Sequence, residues 1–133
     1  LGGILCSVEG AAPLRRHVLP DAVVVCGPEP AVVPYLDPGH ALALAVRDEL
    51  TRYRAAHGRP PRLLLMENHG PVALGATGRE VEAILLMAEK WARIVTGARA
   101  FGGPAYLDPA DVVRIDGRAD EAVRRRRIAG EGA

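Results

Sequence analysis

Residues 62–75 read RLLLMENHGPVALG, and this stretch decides the fold. Residues 62–66 form an apolar run that predicts a buried strand, and residues 72–75 predict a second short strand. Between them lies the polar corner Glu67-Asn68-His69-Gly70-Pro71, whose glycine lets the backbone turn tightly. The imidazole of His69 is therefore held stiffly at the end of a buried strand, which suits a metal ligand or a proton carrier.

The bulk composition limits the class of protein. The chain has 133 residues, 49% of them hydrophobic and 25% charged, as expected for one soluble globular domain. Its 17 basic and 16 acidic residues give a net charge of +1, which argues against a dedicated nucleic-acid or membrane-surface binder. No apolar run is long enough to span a bilayer. With only Cys6 and Cys26, a disulfide framework is not expected, and a cytoplasmic location is predicted.

The start of the chain is unusual. It begins with Leu1 rather than Met, and residues 1–5 lack the basic region and cleavage site of a signal peptide. We therefore expect a fragment whose first part is missing. Residues 1–20 contain several glycines and two prolines and are predicted to be mostly loop.

Three segments are predicted between residue 20 and the apolar run at 62–66. The β-branched run 21–27 predicts a strand, and residues 31–35 predict another, placed at an edge or a strand end by Pro34. Residues 40–57 carry apolar side chains at helical spacing and end at a glycine, so they predict a helix.

Three helices are predicted after the His69 corner. Thr77 and Glu80 have capping-box spacing, and an unbroken apolar stripe follows them to Val95. Asp108-Pro109 predicts the cap and first turn of a short helix, and residues 120–128 predict a charged one before a frayed tail.

These elements predict an α/β fold in one domain, 1–133. We expect a layered α/β/α arrangement with a central, mainly antiparallel or mixed sheet that is incomplete at its N-terminus. Residues 1–20 are the loop-rich part, 21–98 the core, and 99–133 the C-terminal helices and tail.

Other polar residues are weaker candidates. Tyr35 lies on a loop framed by proline and glycine, where it could bind an anion, pass a proton or simply pack half-buried. The isolated histidines at positions 17, 40 and 57 are expected to face solvent or cap helices, and the Arg124–Arg127 run is expected to be a solvated helix end.

A zinc site needs three or four ligands, and these residues do not supply them. The chain has no His-x-His, no His-x-x-x-His on a helix and no Cys-x-x-Cys. Glu67 could also be a ligand, but the turn lies between it and His69. The two-residue spacing that would put both side chains on one face of a strand therefore does not apply. From the residues alone, His69 stays open between a structural histidine and a ligand.

The chain resembles the class II aldolase/adducin family over roughly residues 21 to 98. The most specific element is the Asn-His-Gly turn between two strands, residues 68–70. The motifs that carry the resemblance are Val33-Pro34-Tyr35, Pro38-Gly39 before a helix, Glu67-Asn68-His69-Gly70-Pro71, Gly75, and a long helix from Arg79-Glu80. The fuculose- and rhamnulose-phosphate aldolases, and related epimerases and dehydratases, share this pattern.

The resemblance implies a zinc-dependent lyase of carbohydrate metabolism, commonly a homotetramer. Its substrate would be a small sugar phosphate or sugar acid, cleaved through a metal-stabilised enediolate. His69 would be a metal ligand, and Tyr35, Asn68 and Gly70 would surround the substrate. The family's His-x-His and its catalytic acid would lie upstream of residue 1, so the chain as given is expected to be inactive. A dehydratase, an epimerase, or a non-catalytic adducin-like interaction domain remain alternatives.

Overall fold

Three strands form a single mixed sheet in the computed structural model, which describes residues 2–7 and 9–129. They are β1 (Ala31–Val33), β2 (Leu63–Met66) and β3 (Gly70–Ala73), with β2 in the middle. β2 runs parallel to β1 and antiparallel to β3. The prediction of a mixed sheet is confirmed, and so is the hairpin around His69.

Helices cover the sheet and account for most of the described residues. In chain order they are α1 (Gly2–Cys6), a 3-10 helix (Glu9–Leu14), α2 (Pro20–Cys26), α3 (His40–His57), α4 (Gly78–Ala98), a 3-10 helix (Arg99–Phe101), α5 (Pro109–Asp116) and α6 (Ala119–Ala129). The predicted helices at α3, α4, α5 and α6 are confirmed, and the predicted frayed tail lies outside the described residues. None of the helices in the described part is long and apolar enough to cross a membrane.

The alternation of side chains along β2 separates two apolar layers. Leu63 and Leu65 belong to a cluster with Trp91 of α4, and all three are fully buried. Leu64 belongs to the other cluster, with Tyr53 of α3. Because successive strand residues point to opposite faces, helices pack on both sides of the sheet, and the predicted α/β/α layering is confirmed.

The prediction of a strand at 21–27 is wrong, because these residues form α2. Leu19 is extended at the N-cap, and Pro20 stands in the first turn, where its missing N–H costs no hydrogen bond. Gly27 ends the helix with a φ of 94°, and its N–H donates to the Val23 carbonyl at 3.0 Å. The apolar residues at 22–26 are all buried, since α2 packs against α4 and α5. A short apolar run of this kind does not distinguish a buried helix from a strand.

The expectation of mostly loop before residue 20 is also wrong. Helix α1 and the 3-10 helix after it occupy much of this segment. Leu5, Cys6 and Leu14 are buried in the same cluster as Trp91, so tertiary contacts stabilise turns that are too short to be stable alone. Cys6 and Cys26 are both buried and free.

The basic run near the C-terminus is not a simple solvated helix end. Arg124 pairs with Asp21 of α2, Nη1 to Oδ1 at 3.0 Å. The Arg125 guanidinium is largely buried, and it donates to the carbonyl of Asp116 at 2.9 Å and to the carboxylate at 3.3 Å. Two adjacent arginines therefore attach α6 to α2 and to the end of α5, which the charge pattern of α6 did not indicate.

A nearly buried ion pair joins β2 to the start of α4. The Arg62 guanidinium donates to one carboxylate oxygen of Glu80, and only 14% and 11% of the two side chains are exposed. Arg62 also donates to the carbonyl of Val24 at 3.3 Å, and Glu80 accepts the N–H of Ala76 at 2.7 Å. The predicted cap is confirmed, since the Thr77 hydroxyl accepts the Glu80 N–H at 3.2 Å.

We predict that Glu80→Ala destabilises the fold, because it leaves a largely buried guanidinium without its carboxylate. The expected loss in the free energy of unfolding is about 2–3 kcal/mol, measured by urea denaturation. Glu82→Ala, on the exposed side of the same helix, is the matched control and is expected to change stability by less than about 0.5 kcal/mol. Equal losses in the two variants would contradict a structural role for the pair.

His17 is buried in the core, against the expectation that it faces solvent. Its ring stacks on Trp91 with centroids 4.3 Å apart, and only 1% of the residue is exposed. Neither ring nitrogen has a hydrogen-bond partner among the described residues. Burial lowers the pKa of His17 to about 4, although the nearby carbonyls of Pro28 and Gly27 oppose this shift.

We predict that this histidine makes the protein sensitive to mild acid. Its ordinary pKa of 6.5 lies above the folded value of about 4, so the unfolded chain binds the extra proton. The contribution of the neutral ring to the free energy of unfolding is therefore fully present above pH 6.5. It is lost as the pH falls from 6.5 to about 4, and the free energy of unfolding decreases by about 3 kcal/mol. Urea denaturation at several pH values in this range measures the slope of the free energy of unfolding against pH.

Two variants test the assignment of that slope. His17→Phe keeps an aromatic ring against Trp91 and removes the titration, so its slope should be shallower. His40→Phe, at the exposed start of α3, should keep the wild-type slope. An unchanged slope in His17→Phe would assign the acid sensitivity to other groups.

Candidate functional site: the edge of the sheet at His69

The parallel pairing of β1 and β2 brings two distant loops together. Val33 and Met66, the last residues of these strands, are opposite each other in the register. The chain therefore leaves both strands at the same edge of the sheet, where ligand sites of α/β proteins commonly form. One exit is the loop with Tyr35 and the other is the corner with His69.

Backbone hydrogen bonds hold the corner in place. The N–H of Glu67 donates to the carbonyl of Val33 at 3.0 Å, and the N–H of Asn68 donates to the carbonyl of Cys6 at 3.0 Å. The N–H of His69 closes the turn on the Met66 carbonyl at 3.1 Å. Three separate segments thus fix the backbone on which the imidazole stands.

The conformations of Asn68 and Gly70 explain why these residue types occupy the turn. Asn68 has a φ of 57°, in the left-handed region that asparagine tolerates better than most residues. Gly70 has a φ of 131°, and no atom lies within 4 Å of the position that a Cβ would take. Glycine is therefore required here by backbone conformation and not by crowding.

The His69 ring is held by the loop after β1. Its Nε2 lies 2.8 Å from the carbonyl oxygen of Leu36, and its ring stacks on Tyr35 with centroids 5.4 Å apart and planes 18° apart. Because a carbonyl only accepts, Nε2 is the protonated nitrogen in this arrangement, and the neutral ring keeps a lone pair on Nδ1. The residue is exposed, so the imidazole is oriented but accessible.

Tyr35 is held in turn by two carboxylates. Its hydroxyl donates to Asp37 Oδ1 at 2.8 Å, and its N–H donates to Glu67 Oε2 at 3.3 Å. The hydrogen bond to Asp37 and the charge of that carboxylate raise the pKa of the Tyr35 hydroxyl above its ordinary value. The side chain is 48% exposed, so the phenol and the imidazole present one accessible polar surface.

The structure brings together the four residues that the sequence proposed for this site. Tyr35 and His69 are in contact, and Asn68 and Gly70 flank the imidazole. Asp37 and the Leu36 carbonyl were missed, although the Tyr-x-Asp spacing in the loop could have indicated the first. The other histidines lie elsewhere: His57, for example, ends α3 with Nε2 3.0 Å from Glu29 Oε1.

The metal-ligand set at this edge is incomplete within residues 2–7 and 9–129. No group of three histidine, cysteine, aspartate or glutamate side chains in that part of the chain could hold a metal ion. His69 alone offers an oriented imidazole, and one imidazole does not fit a zinc site by itself. The described residues therefore supply one possible ligand of a zinc site and not a complete set.

The sequence places the chain in a family with this architecture. The profile of the class II aldolase and adducin N-terminal domain matches residues 3–96, so the chain belongs to that family. No curated protein sequence matches the chain.

A solved structure has the same fold. YgbL of Escherichia coli, provisionally described as an aldolase/epimerase/decarboxylase, is similar with a TM-score of 0.62 and 22% sequence identity. The likeness covers 87% of this chain and 53% of YgbL, so the chain spans about half the length of that structure. At this identity the likeness establishes the fold alone.

We predict that Gly70→Ala destabilises the corner through backbone strain. The expected loss in the free energy of unfolding is about 1–3 kcal/mol, because alanine is disfavoured at a positive φ. Gly78→Ala is the control, since Gly78 is helical, also has open space and should be neutral or more stable. Urea denaturation measures both, and equal stability of Gly70→Ala and wild type would contradict the requirement for glycine.

Proposed function

We propose that this protein is a metal-dependent, class II aldolase-type lyase acting on a small sugar phosphate or sugar acid. The observation that carries the proposal is the His69 imidazole, which the Leu36 carbonyl and the Tyr35 ring orient at the shared edge of β1 and β2. Family membership supports this chemistry. His69 is proposed as one ligand of a divalent cation, with zinc the first candidate because imidazole is a preferred zinc ligand.

The neighbouring residues are proposed to bind the substrate. The Tyr35 hydroxyl, held by Asp37, can donate to or accept from a sugar hydroxyl. The Asn68 side chain is exposed beside it, and its amide can do both. Gly70 has no side chain, which leaves room for a ligand close to the backbone. These groups recognise hydroxyl and carbonyl oxygens, which suits a carbohydrate.

The proposed reaction is a retro-aldol cleavage. A bound divalent cation would supply Lewis-acid polarisation of the substrate carbonyl. This chain's own residues orient the imidazole and hold the substrate hydroxyls, and the general acid or base is not among the residues we assign. A dehydratase or an epimerase needs the same groups, so the reaction type is tested separately. A cytoplasmic homo-oligomer, such as a homotetramer, is part of the proposal.

We predict that His69→Ala loses bound metal. The test uses the protein expressed from its complete gene, with metal content measured by mass spectrometry after dialysis against zinc. Wild type should hold about one zinc ion per chain, and His69→Ala should bind it at least about 10-fold more weakly. His40→Ala, which changes an exposed histidine at the start of α3, is the matched control and should keep the wild-type content.

The same samples distinguish the candidate functions. Equal zinc in wild type and His69→Ala would show that His69 is not a ligand. Zinc-dependent release of an aldehyde from a panel of sugar phosphates and sugar acids would identify a lyase, whereas isomerised or dehydrated products would identify the related activities. Absence of both zinc and turnover would favour an adducin-like interaction domain.

A further inference from the structure

A second cleft lies away from the His69 corner, between the loop at 15–17 and α5. It has a volume of about 280 Å³. This is close to the lower limit of ~300 Å³ for small-molecule sites, and nearly twice the ~150 Å³ of a cavity that takes benzene. The N–H of Leu107 donates to the carbonyl of His17 at 2.8 Å, which fixes the segment before α5 against the loop. Neither Tyr35 nor His69 lines this cleft.

The inner wall of the cleft carries a buried polar side chain without a partner. His17 lines the cleft, is 1% exposed, and has no hydrogen-bond partner at either ring nitrogen among the described residues. Buried polar atoms are nearly always hydrogen-bonded, so an imidazole without such a bond at a cleft wall has hydrogen-bonding capacity that a ligand can use. A neutral ring can donate from one nitrogen and accept at the other.

The rest of the cleft combines apolar walls with a small positive excess. Pro28, Leu107 and Val112 provide apolar surface. The charged residues among its described lining are Arg15, Arg16 and Glu29, and the carboxylate of Glu29 is hydrogen-bonded to His57 at 3.0 Å. Arg16 is held over the Tyr106 ring, 4.6 Å from its centroid. Two guanidinium groups against one carboxylate leave an excess charge of one, which complements a monoanion.

We propose that this cleft binds a small monocarboxylate with an apolar body. The carboxylate meets the guanidinium groups of Arg15 and Arg16, the apolar body packs on the proline and aliphatic walls, and His17 provides a hydrogen bond at the inner end. The size of the cleft fits a six-membered ring with one carboxylate. This site is independent of the proposed aldolase function, since it shares no residue with the His69 edge.

The chain contains its own reporter for this site. Trp91 is the sole tryptophan in the sequence, and its ring stacks on His17. A molecule that bonds to His17 changes the environment of that indole, so fluorescence titration detects binding directly. Cyclohexanecarboxylate is a suitable probe because it absorbs no light where tryptophan does, and cyclohexylmethanol is the uncharged molecule of the same shape.

We predict that cyclohexanecarboxylate produces a saturable change in Trp91 fluorescence, with a Kd on the order of 1 mM or tighter. Cyclohexylmethanol should bind at least about 10-fold more weakly, because it lacks the charge that the arginines recognise. Inorganic phosphate should give no saturable change, because it has no apolar body.

Surface variants test the location without disturbing the core. Val113 lines the cleft on α5 and is 71% exposed, so Val113→Glu places a negative charge there and should weaken binding at least about 10-fold. Val123→Glu, on α6 outside the cleft, is the matched control and should stay within about twofold of wild type. Arg15→Gln should also weaken binding, whereas Arg47→Gln, on α3, should not.

Three results would overturn the proposal. They are the absence of a saturable response in wild type, equal binding of the acid and the alcohol, and equal affinity of Val113→Glu and Val123→Glu. His69→Ala should bind cyclohexanecarboxylate as wild type does. A loss of zinc in that variant with retained carboxylate binding therefore separates the outcome for this cleft from the outcome for the proposed function.

Discussion

The ion pair between Arg62 and Glu80 is the contact on which the arrangement of the other elements depends. Arg62 immediately precedes β2 and also donates to the Val24 carbonyl of α2. Glu80 lies in the first turn of α4 and packs on Gly75, where an added Cβ would lie 3.0 Å from Glu80 Cγ. The pair thus connects the sheet, both adjacent helices and the connection from β3 to α4. Few other charged groups of the described chain are buried to the same degree.

The position of the candidate site follows from this arrangement. Arg62 fixes the open end of the β2–β3 hairpin. The strand pairing then places the tip of the hairpin, at residues 67–69, at the opposite end of the sheet. Parallel pairing with β1 then places the Tyr35 loop beside that tip. The imidazole of His69 is consequently oriented by groups more than 30 residues away in the chain, through the carbonyl of Leu36 and the ring of Tyr35. The pairing of β1 with β2 therefore determines which residues surround His69.

Local patterns predicted the elements whose signals are complete within a few residues. The cap at Thr77 and the apolar stripe after it define α4, and the glycine after His57 ends α3. The prediction of a strand at 21–27 was wrong because three consecutive valines are compatible with both a strand and a buried helix. Packing against α4 and α5 stabilises the helix. The prediction for His17 was wrong for a similar reason, since an isolated histidine in a segment predicted as loop was expected to face solvent, whereas Trp91 covers its ring.

By itself, the sequence determined the turn at residues 67–71, the identity of its imidazole and the family to which the chain belongs. These depend on residue type and short spacing: glycine at a positive φ, an apolar run on each side, and one histidine between them. Only the tertiary structure decided what surrounds that imidazole, and where His17 lies. Both depend on contacts between residues distant in the chain, and no local periodicity encodes which loops a parallel strand pair or a buried helix brings together.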